Sequence, residues 1–288
     1  MLIRIALIIT LYLSLDVVLA QPWKEILEDH KEYYSDDSLI RRQSQAFTVG
    51  AIPPIADAQV KAIPIEECGE ELFDIRSKNH ARIGMLPDPE KPFLGSDFNA
   101  GFPNASKVRR SVCEKLCGMI DHLDELAIDF GYVPGQASIK IFEGLRDLST
   151  QEKLFEDKVQ KIKIEHPDLT KDQLEQEAAK WISPVKNNIP VHSTGAAVDL
   201  RLWDVSKDTF LDMGTFGVIW GKNENAPTFS ETITDEQKRN RLFCLIAAER
   251  AGLTNYPFEF WHFSFGDRYA SFWHEQKPEN RKAIYGAN

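Results

Sequence analysis

The chain has 288 residues and a formal net charge of −10 at neutral pH, from 44 acidic and 34 basic side chains. This acidic balance argues against nonspecific nucleic-acid binding, because basic patches carry the affinity of proteins for the phosphate backbone. A hydrophobic content of 43% and a charged content of 27% are typical of a globular protein with a sizeable core. We therefore expect one folded domain that binds no nucleic acid.

The first twenty residues have the pattern of an export signal. Arg4 precedes an apolar run over residues 5–15, and Val18-Leu19-Ala20 ends in the small residue that favours cleavage before Gln21. The apolar run is short for a membrane span, although an uncleaved N-terminal anchor is an alternative. We expect residues 1–20 to be a signal peptide and the mature protein to be periplasmic or secreted, without stable membrane association.

Helix signals recur along the rest of the chain. Ser106 is in position to cap a helix whose apolar stripe runs from Val108 to Ala127 and which ends before Gly131. Three more helices are predicted from capping-box spacing, in which a hydroxyl residue precedes a Glu or Gln by three positions. These pairs are Ser149 with Glu152, Thr170 with Gln173, and Thr234 with Gln237.

Strand signals lie between the helices, at residues 138–142, 197–203 and 258–265. In the second of these, apolar residues alternate with Asp199 and Arg201, so both charged residues belong to the face opposite the apolar one. Helices segregated around a few strands predict an α+β fold.

Four cysteines remain after export: Cys68, Cys113, Cys117 and Cys244. In an oxidising compartment this even number permits disulfides, with three possible connectivities. Cys113 and Cys117 lie four residues apart on a predicted helix, and the alternative is that both are small core residues on one helix face.

Two short motifs supply the chemistry of a catalytic metal site. Residues 192–199 (HSTGAAVD) offer His192 and Asp199, and residues 259–262 (EFWH) offer Glu259 and His262. Two imidazoles and one carboxylate leave the fourth position of a tetrahedral zinc open for water, and a nearby Glu can accept the proton of that water. Residues three apart on an ideal strand face opposite sides, so Glu259 can share a site with His262 only if it lies at the strand entrance.

These two motifs resemble those of the VanX-type D-alanyl-D-alanine dipeptidases, which are zinc peptidases that cleave cell-wall dipeptides. The likeness runs in order from about residue 66 to residue 273. It includes residues 97–101 (DFNAG), 142–149 (FEGLRDLS), 212–215 (DMGT) and 255–269 (NYPFEFWHFSFGDRY). It implies a catalytic domain over residues 66–288, preceded by an N-terminal extension over residues 21–65. We expect this extension to wrap the domain or to be partly disordered.

The resemblance also implies the architecture and the roles of the site residues. We expect a small antiparallel sheet that carries the zinc site and is flanked by helices. His192, Asp199 and His262 would hold one zinc ion per chain, Glu259 would be the general base, and Arg146 would stabilise the oxyanion. The implied reaction is hydrolysis of D-alanyl-D-alanine in cell-wall peptide metabolism.

Three positions depart from the family pattern. Asp147 replaces a proline, and its carboxylate could compete for Arg146; Pro190 replaces a serine; Val218 replaces the Asp that binds the substrate ammonium group. Two alternatives therefore stay open. One is a related zinc peptidase that acts on longer or different peptidoglycan peptides, and the other is a non-catalytic zinc-containing module that binds wall fragments.

Overall fold

The computed structural model describes residues 20–86, 103–179, 182–214 and 224–288. The predicted signal peptide up to residue 19, the DFNAG motif and Val218 lie outside these ranges. The described helices are α1 (Trp23–Asp29), α2 (Leu39–Thr48), α3 (Ala58–Lys61), α4 (Arg110–Leu126), α5 (Leu148–Glu165), α6 (Lys171–Ala179), α7 (Asp235–Arg250) and α8 (Arg268–His274). The described strands are β1 (Leu72–Asp74), β2 (Ile83–Met85), β3 (Lys107–Arg109), β4 (Ala137–Glu143), β5 (Ala197–Asp204), β6 (Thr209–Phe210), β7 (Thr254–Tyr256) and β8 (Glu259–Ser264).

The main sheet has the strand order β2-β4-β5-β8-β7, with β6 paired to β5. The α+β class is confirmed, and the sheet is antiparallel as expected except at one edge, where β2 runs parallel to β4. The connection between these two strands contains α4. A helical crossover of this kind is what a parallel pair requires, whereas the other neighbours in the sheet are antiparallel.

The apolar face of β5 is the centre of the hydrophobic core. Val198, Leu200 and Leu202 pack there with the apolar stripe of α4 and with residues of α7. Asp199 and Arg201 on the opposite face are buried as well. The strand is therefore covered on both sides, and its charged face lies inside the protein.

Part of the N-terminal extension belongs to the same core. Trp23 and Ile26 of α1 and Ile40 of α2 are buried in the cluster that contains the central strands. The Nε1 of Trp23 donates a hydrogen bond to the Ser230 carbonyl at 2.8 Å, and the Glu249 carboxylate accepts from the backbone N–H of Leu39 at 2.7 Å. These described residues of the extension therefore pack against the region around α7.

Two of the predicted capping boxes are confirmed. Thr234 and Gln237 form the reciprocal hydrogen bonds that start α7. Thr170 and Gln173 do so at α6, since the backbone N–H of Thr170 donates to the Gln173 side chain at 2.9 Å and the Thr170 hydroxyl accepts in return.

The other two predicted helix starts are wrong. Ser106 does not cap α4, because Lys107–Arg109 pair with β1 and delay the helix to Arg110. Ser149 lies inside α5, which begins at Leu148. At α4, pairing with a distant strand therefore sets the boundary.

All four cysteines are free thiols in the structure, Cys68 exposed and Cys113 and Cys244 buried. Within the described ranges, none of the helices is long and apolar enough to cross a membrane.

Candidate metal centre and active site

The three predicted metal ligands converge because two sheet strands and one turn meet. Asp199 of β5 and His262 of β8 are directly paired across the antiparallel ladder. His192 lies in a 3₁₀ turn over Val191–Thr194 that leads into β5. Gly195 ends this turn with φ of 71°, a left-handed conformation that glycine adopts without a steric penalty. The bend brings the His192 ring back over the strand that follows it.

The ligating atoms form a nearly equilateral triangle. His262 Nδ1 lies 3.0 Å from Asp199 Oδ1, His192 Nε2 lies 3.3 Å from the same oxygen, and the two nitrogens are 3.2 Å apart. A tetrahedral zinc with bonds of about 2.0–2.1 Å holds neighbouring ligands about 3.3 Å apart. All three residues are buried. The donor types and their spacing therefore fit a zinc ion.

A backbone contact fixes the orientation of His192. Its Nδ1 donates a hydrogen bond to the Gly144 carbonyl at 2.9 Å, which leaves the Nε2 lone pair directed at Asp199 and His262. A side chain at Gly144 would not fit there, because a Cβ atom would lie 2.5 Å from the Lys107 carbonyl oxygen. Glycine therefore permits the close approach that holds the imidazole.

The electrostatics of the centre favour an ionised Asp199. Burial disfavours the charged carboxylate, but His192 and His262 outweigh this effect and hold the pKa of Asp199 well below its usual range. Burial likewise opposes a charged His192, yet the Asp199 carboxylate raises the pKa of that imidazole above its ordinary value. Asp199 and His192 therefore stabilise each other's charged forms.

Glu259 lies at the strand entrance, as its sharing of the site requires. It is the first residue of β8 and pairs with Tyr256, next to an irregularity in the β7–β8 ladder between Asn255 and Tyr256. Burial raises the pKa of Glu259. The charge of His262 opposes this increase in the pKa, and the charge of Asp199 adds to it. Tyr256 also packs edge-on against the His262 ring, with the centroids 5.8 Å apart.

Arg146 is held by two residues that the motif analysis missed. Its Nε and one terminal nitrogen donate to the two oxygens of Glu143 at 2.7 and 2.6 Å. The other terminal nitrogen donates to Gln151 at 2.7 Å, and Gln151 in turn donates to the Ser183 carbonyl. Glu143 is paired with Asp199 across the β4–β5 ladder. The guanidinium is therefore fixed beside the candidate metal centre.

The predicted competition from Asp147 is not observed. The Asp147 carboxylate instead accepts hydrogen bonds from the Asn104 side chain at 2.9 and 2.8 Å. The carboxylate that binds Arg146 is that of Glu143, three residues earlier in the same FEGLRDLS segment. An acidic residue within a few positions of a buried arginine was the available sequence signal for this pair.

Comparison with known proteins agrees with these motifs. Residues 142–280, which contain all five predicted site residues, match the D-ala-D-ala dipeptidase family of M15 peptidases. The chain is 27% identical over 246 residues to a D-alanyl-D-alanine dipeptidase of Synechocystis sp., covering 78% of this chain and 94% of that protein.

Solved structures give weaker likenesses. One is a variant of the vancomycin-resistance D,D-pentapeptidase VanY in complex with Zn(II), with 15% identity, coverage of 59% of this chain and 79% of that chain, and a TM-score of 0.32. Another is the LdcB LD-carboxypeptidase, with 14% identity, coverage of 72% and 68%, and a TM-score of 0.33. The sequence matches carry the comparison: residues 142–280 match a D-ala-D-ala dipeptidase domain, and the two matches together support a VanX-type family.

Proposed function

We propose that this protein is a zinc-dependent peptidase that hydrolyses D-alanyl-D-alanine, with the ion held by His192, Asp199 and His262. The observation that carries the proposal is the buried triangle of ligating atoms, whose edges of 3.0, 3.3 and 3.2 Å suit tetrahedral zinc. Zinc at this position would polarise the scissile carbonyl group and acidify the attacking water. Proton transfer and stabilisation of the developing charge are assigned to side chains of the protein.

Glu259 is proposed to move the proton. A carboxyl group whose pKa is raised by burial is a better match to neutral pH than an ordinary glutamate. It accepts the proton of the attacking water and then gives this proton to the amine of the leaving residue. One residue can do both because the proton that it takes from water in the first step is the proton that the leaving amine needs in the second.

Arg146 is proposed to stabilise the negative charge that develops on the carbonyl oxygen. Burial disfavours the charged guanidinium, but Glu143, Asp199 and Glu259 outweigh this effect and raise the pKa of Arg146. The group therefore stays charged and is already oriented by Glu143 and Gln151 before the substrate binds. A fixed cation of this kind loses no energy to reorganisation during the reaction.

Metal content and turnover test the proposal together. Purified protein should hold about one zinc per chain, whereas His192→Ala should lose the metal. Glu259→Ala should keep zinc and the fold but lose activity by about two to four powers of ten, because only proton transfer is removed. His166→Ala, at an exposed position beyond the end of α5, is the matched control and should retain both zinc and activity.

The substrate panel separates this function from its alternatives. It should contain D-alanyl-D-alanine, its L,L isomer, its N-acetylated form and longer wall peptides. Faster cleavage of the longer peptides would indicate the related peptidase with a different substrate. Zinc binding and fragment binding without any hydrolysis would instead indicate the non-catalytic module, and stoichiometric zinc in His192→Ala would refute the ligand set.

A further inference from the structure

Strand β5 carries a second charged residue on the same face as Asp199. Arg201 follows it by two residues, and residues two apart on a strand lie on one face about 6.8 Å from each other. Arg201 is only 4% exposed, so its charge is held inside the protein.

The charge of Arg201 has no carboxylate within ion-pair distance in the described part of the fold, although Asp212 acts on it from farther away. None of the ion pairs among the described residues includes Arg201, and its buried Nε has no hydrogen-bond partner there. Its guanidinium carbon lies 4.6 Å from the ring centroid of Phe210 and 5.9 Å from that of Phe260.

A second buried arginine shows what a purely structural role looks like here. Arg241 also lies over Phe260, at 4.1 Å from the ring centroid. It donates hydrogen bonds to the backbone carbonyls of Met213 at 2.8 Å and of Asn225 and Pro227 at 2.6 Å. Its donors are therefore used within the fold, whereas no such bonds from Arg201 to the described residues are found.

The neighbour of Arg201 across the ladder adds to the positive charge. Lys140 of β4 is directly paired with it, and its Nζ lies 5.6 Å from the Trp203 ring centroid. Like charges directly opposite each other destabilise a sheet. An anion bound at this position would relieve that repulsion and would complete the hydrogen bonds of the guanidinium.

We propose that Arg201 binds a carboxylate group of the peptide substrate, next to the metal centre. This inference rests on the proposed peptidase function and names the part of the substrate that the site recognises. The planar guanidinium matches a carboxylate in a bidentate geometry.

Two sources of the carboxylate share this chemistry. The first is the C-terminal carboxylate of the leaving residue, which lies one residue from the scissile bond, a span of at most about 3.6 Å. The second is an acidic side chain elsewhere in a wall peptide. The short interval between Asp199 and Arg201 on β5 favours the first.

Matched substrates and a charge-removing variant test the assignment. Wild-type protein, Arg201→Gln, Arg201→Lys and the surface control Arg250→Gln should be compared on D-alanyl-D-alanine and on its C-terminal amide. A charge-assisted hydrogen bond of about 1.5–3 kcal/mol corresponds to about tenfold to about a hundredfold. Arg201→Gln should lower kcat/KM for the free acid by that factor and leave the amide nearly unchanged. Arg201→Lys keeps the charge but not the planar guanidinium group, so its kcat/KM for the free acid should lie between those of the wild type and Arg201→Gln.

A second pair of substrates identifies the source. A wall peptide with an acidic side chain should be compared with its neutral amide isostere, with the C-terminal carboxylate kept in both. Loss of discrimination at this pair alone would assign the side chain as the ligand of Arg201. Equal losses for charged and neutral members of both pairs would overturn the proposal, since they would reflect damage to the fold.

Ligand binding separates this inference from the proposed function. The rise in Tm caused by D-alanine and by D-alaninamide should be measured on the zinc-loaded proteins. A larger shift with D-alanine in the wild type, lost in Arg201→Gln, supports the carboxylate site even if no peptide is hydrolysed. Equal shifts with both ligands in the wild type would refute it even if the protein is an active dipeptidase.

Discussion

The contact between Glu143 and Arg146 makes a sharp prediction about the candidate active site. Glu143 is fully buried and Arg146 is 8% exposed, and two charge-assisted hydrogen bonds of 2.7 and 2.6 Å join them. Glu143→Gln removes the negative charge and replaces one acceptor oxygen by an amide group that faces the guanidinium. The substitution changes little in volume, so its main effect is on the orientation of Arg146.

The expected loss follows from the strength of one such bond. A hydrogen bond to a charged group contributes about 1.5–3 kcal/mol, which corresponds to about tenfold to about a hundredfold in rate. Because Arg146 is proposed to act on charge that develops only in the transition state, the loss should fall on kcat and leave KM nearly unchanged. Glu143→Asp restores the charge and should recover part of the rate.

Asp147→Asn is the matched control for this experiment. It removes a carboxylate adjacent to Arg146 in sequence, but one that is bonded to Asn104 instead. Zinc content and Tm should be measured for all variants, so that a loss of fold or metal is recognised. Full kcat in Glu143→Gln, or an equal loss of kcat in Asp147→Asn, would refute the positioning role of Glu143.

Three further predictions concern other parts of the chain. Thr234→Ala should lower the free energy of unfolding by about 1 kcal/mol in urea denaturation, because the capping box of α7 is lost while the site is untouched. Gly144→Ala should lower both stability and zinc affinity, measured by Tm and by competition with a chelator, since the new Cβ would collide with the Lys107 carbonyl and displace the carbonyl that holds His192. Mass spectrometry of the protein from its native host should show an N-terminus near Gln21, and an intact Met1 would contradict the signal peptide.

Local sequence signals predicted the fold where the structure is local. Both confirmed capping boxes are short-range hydrogen-bond patterns within four residues. The start of α4 was wrong because Lys107–Arg109 pair with residues more than thirty positions earlier. The parallel edge strand β2 was missed for the same reason, since three residues carry little periodicity and their partner lies beyond a helix.

In the candidate site as well, the residues within local motifs were predicted and the long-range contacts that support them were not. The two motifs that contain His192, Asp199 and His262 could be recognised in the sequence, and Glu259 was placed at the strand entrance from the alternation of side chains. The supports of these residues are long-range or backbone contacts. They include the Gly144 carbonyl on His192 and the irregular β7–β8 ladder that admits Glu259. A backbone carbonyl has no sequence signature, so contacts of this kind appear only in three dimensions.

The β4–β5 ladder joins the two proposals through its charges. It places two carboxylates opposite each other at Glu143 and Asp199, and then two cations opposite each other at Lys140 and Arg201. Each pair is unfavourable by itself, because like charges across a sheet repel each other and buried charges need partners. Arg146 offsets the first carboxylate, and a divalent cation held with the two histidines would offset the second together with Glu259.

The two cations then remain to be satisfied. A peptide whose scissile carbonyl group lies at the acidic end of the ladder, with its carboxylate at the cationic end, matches this order of charges along the strands. A substrate of the opposite polarity would put its ammonium group against Arg201 and Lys140 and would be repelled. On the proposed assignment, the direction in which the peptide lies in the site would be set by the same two strands that position the candidate metal ligand Asp199.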